Sequence, residues 1–473
     1  MTKFVLEKNK IRIITNFLSE IREIFSVKDE NASFKKKFGP QKHLQTRLYC
    51  ITPTGLFDQG MFYDIYSFVT INYPNEDIEI DDKVYEIVKP TINGTVVNKL
   101  NLPLRDYQNE ACLQCLKFGR GILKMGTGAG KTLTICTLLA SFYELRKDFK
   151  GLLIVPDLSL VNQTYSDFKD YNAPFSYTRW TGKIQPDLTS NIIIANLGIL
   201  QSQFEENNWI KTVDILVIDE CHKLRKGNKV NKIIQNILTN HKFGLTGTLP
   251  EEKIDEWNIK GKIGPVIYSK DSYSLRIEEY LTNVLVNIIN VEYKSKPVYR
   301  SGENNFKHEL DFLYKNSFRN NLIYSICSKF DKNILILVNH LDHGDLLYNV
   351  LLKNSNKEVY YIKGEVDVEE RDRIKKIMET NHNVVCIAVS AIFSTGINIK
   401  NIHMILFVAG GKSFIRTIQS IGRGLRKHDE KRKLQIIDIG DQTKYGKEHL
   451  NKRKQIYSKE KIQFVENNIL EVD

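Results

Sequence analysis

The sequence predicts an α/β protein in which two tandem parallel-sheet domains follow a small α+β N-terminal domain. Three observations carry this reading. Apolar runs of strand length with no polar alternation, such as Gly151-Leu152-Leu153-Ile154-Val155, recur between stretches of helical spacing; strands buried on both faces of a parallel sheet look like this. The pattern pauses near residue 268 and then restarts with a second set of runs. Residues 1–98 differ in kind, with aromatic and β-branched runs broken by Pro, Gly and Asn, the grammar of a separate small unit.

In chain order, residues 1–98 contain the runs Leu48-Tyr49-Cys50-Ile51 and Tyr66-Ser67-Phe68-Val69. Between Phe34 and Phe38 lie Lys35, Lys36 and Lys37. Two readings stand: a solvated loop anchored by two rings, or a nucleic-acid contact in which lysines meet phosphate and rings pack or stack. Lys89 to Pro103, with its prolines and asparagines, reads as a linker. Residues 99–268 hold the strands Gly121–Lys124, Gly151–Val155, Asn191–Ile194 and Asp214–Ile218, and a helix over Thr132–Leu145. Residues 269–473 hold Ile334–Val338, Val384–Val389, Met404–Phe407 and Leu434–Ile439.

Composition narrows the class. Over 473 residues, 42% hydrophobic and 26% charged excludes disordered and collagen-like chains. No apolar run approaches the ~18 residues of a membrane span, so no membrane partner is expected. Charge interrupts every apolar stretch of MTKFVLEKNKIRI, unlike a signal peptide. Seven cysteines, an odd number, point to a reducing compartment such as the cytoplasm, that of a bacterial host if the chain is phage-encoded. Cys112 and Cys115 form one Cys-x-x-Cys without a second pair or flanking His, so they read as one core and one surface thiol rather than a zinc site. Residues 1–98 show no acidic metal cluster, which speaks against a nuclease. The excess of 68 Lys+Arg over 56 Asp+Glu, +12, invites a polyanionic partner.

Met125-Gly126-Thr127-Gly128-Ala129-Gly130-Lys131-Thr132 follows a strand and opens a helix. Glycines let backbone N–H groups turn toward an anion, and the helix N-terminus adds its dipole. Lys131 would meet the β- and γ-phosphates and the Thr132 hydroxyl would ligate Mg²⁺. Met125 replaces the first glycine of the strict pattern, and the alternating glycines at 126, 128 and 130 soften that departure. Further on, Ile218-Asp219-Glu220-Cys221-His222 ends a buried strand. Asp219 would hold metal and Glu220 would polarise the attacking water, which is nucleoside triphosphate hydrolysis. In the last domain, Gln419-Ser420-Ile421-Gly422-Arg423-Gly424-Leu425-Arg426 places Arg423 and Arg426 three apart on one helical face. They read either as a surface helix or as arginine fingers reaching a γ-phosphate across an interdomain cleft, worth roughly 10³–10⁵ in turnover.

Taken together these motifs resemble those of superfamily 2 helicases, in that superfamily's order over about residues 104–426. Leu104-Arg105-Asp106-Tyr107-Gln108 is similar to the adenine-reading element, Val155-Pro156 to the first nucleic-acid motif and Ala195-Asn196-Leu197 to a later one. Asp219-Glu220-Cys221-His222 matches the DExH box and Leu245-Thr246-Gly247-Thr248 the coupling motif. Ser394-Thr395-Gly396-Ile397-Asn398-Ile399 resembles motif V and Gln419–Arg426 motif VI. Within that superfamily the chain looks most like the UvsW-type recombination helicases of tailed phages, through the DECH form of the box, Lys242-Phe243-Gly244-Leu245, Gly364-Glu365-Val366-Asp367, Phe393–Ile397 with Lys400-Asn401, and Leu425-Arg426-Lys427-His428. The Phe38–Phe62 region is similar to their small DNA-contacting domain.

The resemblance implies two RecA-like domains and an ATP- and Mg²⁺-dependent motor with 3′ to 5′ polarity. Its substrate would be branched, forked or single-stranded DNA, unwound at forks and migrated at branches, with strand annealing compatible, in recombination, repair or replication. Other proteins of those processes are the partners it allows. It gives Lys131, Glu220, Gln419, Arg423 and Arg426 catalytic roles. Nucleotide binding falls to Arg105, Gln108, Gly126, Thr127, Gly128, Ala129, Gly130, Lys131, Thr132, Asp219 and Gly396. DNA contacts would come from Lys35–Lys37, Pro156, Asn196, Asn339, Ser394 and Thr395. His222, Thr246 and Thr248 would couple the two activities, with closure about a linker near residues 265–285. An RNA helicase, or an ATP-gated switch that grips nucleic acid without unwinding it, shares these motifs.

Overall fold

The computed structural model describes residues 1–29, 46–97, 99–224, 227, 229–364, 366, 368–390, 401–408 and 433–471. The chain divides into two compact units, Met1–Asp271 and Ser272–Asp473.

In the first unit, the N-terminal region builds a four-stranded sheet in the order Leu56–Asp58, Lys10–Ile14, Thr2–Glu7 and Ile78–Ile80. The first hairpin turns at Lys8, whose φ of 56° is left-handed. Leu48 and Tyr49 lie in the strand Arg47–Tyr49, whereas Tyr66–Val69 belongs to the helix Phe62–Asn72. Phe62, Ile65 and Val69 explain that helix, because their i, i+3, i+7 spacing buries one face against Phe4 and Ile11.

This small sheet is joined to the rest of the unit by the helix Lys253–Ile263. Trp257 lies 5.8 Å from the Phe25 ring, and Lys260 and Lys262 pair with Asp64 and Asp58 at 3.1 and 2.5 Å. Gly60 permits the approach, since a Cβ there would stand 1.8 Å from the Lys260 carbonyl oxygen. Buried Arg120 threads the junction and donates to Gln59 Oε1 and to the carbonyls of Ile87 and Ile263 at 2.8–3.2 Å. Neutral acceptors satisfy its hydrogen bonds while burial lowers its pKa to about 10.

Lys242 sits beside this junction, buried, with Nζ donating to the Ile234 carbonyl at 3.2 Å. Burial first, then repulsion from Arg120 and Lys262, lowers its pKa to about 7, with Asp58 offsetting part of the effect. An unfolded lysine titrates near 10.4. Between about pH 7 and 10 the unfolded chain therefore binds more protons than the folded one, and stability rises with pH. Lys242→Met removes the charge and keeps an apolar stem. It is expected to stabilise the protein at neutral pH by on the order of 2 kcal/mol and to flatten that rise in thermal-denaturation series. An unchanged slope would show that Lys242 is not the group responsible.

The main sheet of the first unit has seven parallel strands in the order Val266–Lys270, Gly121–Met125, His241–Thr246, Ile215–Asp219, Gly151–Val155, Ile192–Asn196 and Tyr177–Trp180. Helices cover it, and all five residues of Gly151–Val155 are buried, as an unalternated apolar run requires. Because every strand runs the same way, every following loop emerges at one carboxyl edge, where ligands of such sheets bind.

The second unit repeats the architecture, with parallel strands in the order Glu358–Ile362, Val384–Val389, Ile334–Val338, Met404–Phe407, Lys433–Asp441, Asn283–Glu292 and Gln463–Leu470. Two buried ion pairs brace it, Arg319 with Asp441 at 2.8 Å and Arg453 with Asp438 at 2.9 Å. Buried Glu309 caps the helix Lys444–Lys459, accepting from the Thr443 hydroxyl and the Tyr445 and Gly446 N–H groups at 2.6, 3.1 and 2.8 Å. A carboxylate satisfies the orphan donors of a helix start and complements its dipole.

Two expectations need correction. Cys112 and Cys115 are both fully buried, because the helix Asp106–Phe118 turns positions 108, 111, 112 and 115 inward together. The segment 265–285 is structured rather than a plain linker: it contains the strand Val266–Lys270, the helix Ser272–Ile277 and the start of Asn283–Glu292. Its short apolar run, ending in Ser269 and Lys270, hid that edge strand in the sequence.

Candidate functional site

The loop 126–130 leaves the strand Gly121–Met125 and runs into the helix Lys131–Leu145. Gly128 and Gly130 hold φ of 83° and 75°, conformations that cost a β-carbon-bearing residue dearly. The Gly126 N–H donates to the Lys270 carbonyl at 2.9 Å and the Ala129 N–H to the Gly126 carbonyl at 3.1 Å. The loop is thus folded on itself at the amino end of a long helix, as an anion cradle must be.

Lys131 and Glu220 meet in this cradle, Nζ to Oε1 at 2.9 Å, with both side chains more than four-fifths buried. Burial works against the Lys131 charge, but Glu220 and Asp219 outweigh it and hold its pKa above the usual lysine value. Burial likewise opposes ionisation of Glu220, and here Lys131 and His222 prevail and keep it a carboxylate. Asp219 is raised, by burial first and then by the Glu220 charge. One Asp219 oxygen accepts the Glu220 N–H at 2.9 Å. A carboxylate short of positive charge, with the Thr132 hydroxyl in the first turn of the helix that follows the loop, suits a Mg²⁺ that takes few protein oxygens and keeps waters and phosphate oxygens.

Glu220 itself stands at φ 50°, a left-handed conformation rare for a long side chain and common where function fixes geometry. Beyond it His222 Nδ1 lies 3.2 Å from Glu220 Oε2 and 2.9 Å from Thr246 Oγ1. The Thr246 hydroxyl donates to the Thr248 carbonyl at 2.7 Å, which commits its own proton, and the one Nδ1 position of His222 faces both Thr246 Oγ1 and Glu220 Oε2. Lys131, Glu220, His222, Thr246 and Thr248 therefore form one chain of close polar contacts across the ends of three strands.

On the loop's other flank, the Gln108 side chain accepts from the Arg105 N–H at 3.0 Å and donates to the Ala129 carbonyl at 2.8 Å. Its Nε2 also reaches the Gly130 carbonyl at 3.5 Å, so the buried Gln108 amide ties the start of its own helix to two residues of the loop. A Cβ on Gly130 would stand 2.4 Å from Gln108 Nε2, so glycine is needed there for fit as well as for φ.

The same carboxyl edge continues past Asp219 to Pro156 and Asn196, which end neighbouring strands. Asn196 Oδ1 caps the helix Leu197–Gln203 by accepting from the Ile199 N–H at 2.8 Å, and Asp157 Oδ1 does the same for the Leu160 N–H at 3.1 Å. Sequence reading missed the turn Thr181-Gly182-Lys183 that closes this edge. The Thr181 hydroxyl accepts the Lys183 and Ile184 N–H groups at 3.3 and 3.1 Å, and a Cβ on Gly182 would meet nothing within 4 Å. Thr-Gly-Lys directly after a strand was the available signal. In the second unit Asn339 follows Ile334–Val338 at that sheet's carboxyl edge. Lys35, Lys36, Lys37, Ser394, Thr395, Gly396, Gln419, Arg423 and Arg426 lie outside the described residues. Among the described residues no three His, Cys, Asp or Glu cluster as a metal site, and no helix is long and apolar enough to cross a membrane.

Comparison with known proteins points one way. Residues 101–251 match the family model for the res subunit of type III restriction enzymes, and residues 316–428 that for the helicase conserved C-terminal domain. The chain is 31% identical over 358 residues to the ATP-dependent DNA helicase uvsW of Enterobacteria phage T4, covering 74% of this chain and 70% of that protein. It is 22% identical over 392 residues to the DNA 3′-5′ translocase XPB2 of Sulfurisphaera tokodaii, covering 75% and 84%. Among solved structures, the ATP-dependent type ISP restriction-modification enzyme LlaBIII bound to DNA aligns with a TM-score of 0.58 at 14% identity, over 84% of this chain and 34% of that one, a likeness of fold.

Proposed function

This chain belongs to the UvsW family of superfamily 2 helicases, and from that premise we propose that it is an ATP-dependent DNA helicase that remodels branched DNA. The observation that carries the reading is the path from Lys131 through Glu220 and His222 to Thr246 and Thr248. It joins the group that holds phosphate, the group that polarises water and the motif that leads toward the rest of the unit. Occupancy of the loop is therefore felt at Thr246.

Mg²⁺, when bound, neutralises phosphate charge, and Thr132 and Asp219 are the residues to hold it. ATP breaks the Lys131–Glu220 pair by offering Lys131 a phosphate, which frees Glu220 to orient water. By resemblance Gln419, Arg423 and Arg426 take catalytic roles and Gly396 a nucleotide-binding one; all four lie outside the described residues. Pro156, Asn196, Asn339, Ser394 and Thr395, with Lys35–Lys37, contact DNA through its backbone, which suits a motor indifferent to sequence. The setting is DNA recombination, repair or replication in the cytoplasm of a bacterial host, alongside other proteins of those processes.

ATP hydrolysis compared on single-stranded DNA, duplex, fork, four-way junction and RNA at one salt concentration tests this. DNA, and forked or branched DNA above all, is expected to stimulate turnover, and RNA is not. Stimulation by RNA alone would instead identify an RNA motor.

A further inference from the structure

We infer that Tyr107 is a specificity-positioning residue, whose hydroxyl fixes Arg105 against the phosphate loop and thereby sets the preference for adenine over other bases. The inference rests on the reading of Arg105 and Gln108 as the adenine-binding element.

The geometry is a short relay. Arg105 Nη1 donates to Tyr107 Oη at 3.0 Å, and Tyr107 Oη donates to the Ala129 carbonyl at 3.0 Å. Gln108 Nε2 donates to the same carbonyl at 2.8 Å. Both acceptor directions of one loop oxygen are therefore used by neighbours on one helical turn. Tyr107 is 3% exposed, so packing holds its ring and leaves the hydroxyl at a set point. Arg105 is only half-buried, and its long side chain gains order from that hydroxyl.

The consequence differs from simple support of the loop. Gln108 alone still ties Ala129 when the Tyr107 hydroxyl is removed, and a phenyl ring fills the same space. The guanidinium loses this acceptor, so the loss falls on recognition of the base and leaves the phosphates' contacts in place. A hydrogen bond of typical net strength is worth about two- to tenfold in binding.

The test is steady-state hydrolysis of ATP and GTP by Tyr107→Phe, Arg105→Ala and Gln108→Ala in the full chain with saturating DNA. For Tyr107→Phe, kcat/KM for ATP is expected to fall by about three- to tenfold through KM, while GTP turnover and kcat stay as in the wild type, so the ATP:GTP preference shrinks. An equal fall for both nucleotides, or a fall in kcat at constant KM, would assign Tyr107 to the loop alone and overturn the inference. If Arg105→Ala and Gln108→Ala leave the ATP:GTP preference at its wild-type value, the adenine reading itself fails. If they abolish it and Tyr107→Phe does not change it, that reading stands and the role given to Tyr107 falls.

Discussion

Lys131→Ala is expected to lower DNA-stimulated ATP hydrolysis by about 10²–10³-fold while DNA affinity stays nearly unchanged. Lys131 lies 2.9 Å from Glu220 in a mostly buried cradle, where a charge is worth far more than in water. In the proposed mechanism the same ammonium group meets the phosphates of ATP, since the loop that carries it also presents the helix amino end. Alanine removes this charge and leaves the carboxylates of Asp219 and Glu220 together without their neutralising partner. An uncompensated buried charge costs about 3–5 kcal/mol when the other partner is intact and fully buried, and partial exposure makes the loss here smaller. Nucleotide-free Lys131→Ala should therefore also melt earlier than the wild type. Turnover, DNA binding by anisotropy and melting temperature, taken on one preparation, check all three. Persistent hydrolysis would remove Lys131 from the site.

Glu220→Gln is the complementary case, with turnover expected to fall by about 10²–10⁴-fold and ATP binding retained. Lys131 and His222 keep Glu220 ionised despite burial, and only the carboxylate can draw a proton from water. Glutamine preserves the shape and the left-handed backbone at φ 50°, so the change isolates charge from geometry. The bond from His222 Nδ1 to Thr246, at 2.9 Å, survives in this variant. Nucleotide binding by a fluorescent ATP analogue beside multiple-turnover hydrolysis separates the two effects. Near wild-type hydrolysis would place the water-activating group elsewhere.

Much of this site is legible in the amino-acid sequence, and for physical reasons. Strands buried on both faces leave no room for polar alternation, so Gly151–Val155, Ile334–Val338 and Val384–Val389 coincide with their apolar runs. The phosphate loop announces itself because only glycine tolerates φ of 83° and 75° at 128 and 130. Edge strands of mixed polarity are not legible: Tyr177–Trp180, Val266–Lys270 and Gln463–Leu470 set polar side chains among apolar ones. Strand order escapes too, since adjacency of Gly121–Met125 with His241–Thr246 is a long-range pairing that no local pattern encodes. The pairing of His241–Thr246 with Ile215–Asp219, nearer in the chain, is what brings Thr246 to His222. The left-handed turn at Glu220 and the double hold on the Ala129 carbonyl are likewise tertiary. The positive charge that first suggested a polyanion is in part structural, because Arg120, Arg319 and Arg453 are buried among carbonyls and carboxylates.

Strand separation on a forked DNA most directly decides whether the chain is a motor. With wild-type protein and hydrolysable ATP the fork should open into single strands. Without ATP, with a non-hydrolysable analogue, or with Lys131→Ala, it should remain paired at protein concentrations that saturate binding. Vigorous DNA-stimulated hydrolysis with no separation of the fork and no movement of a four-way junction would contradict the helicase reading and identify an ATP-gated clamp instead.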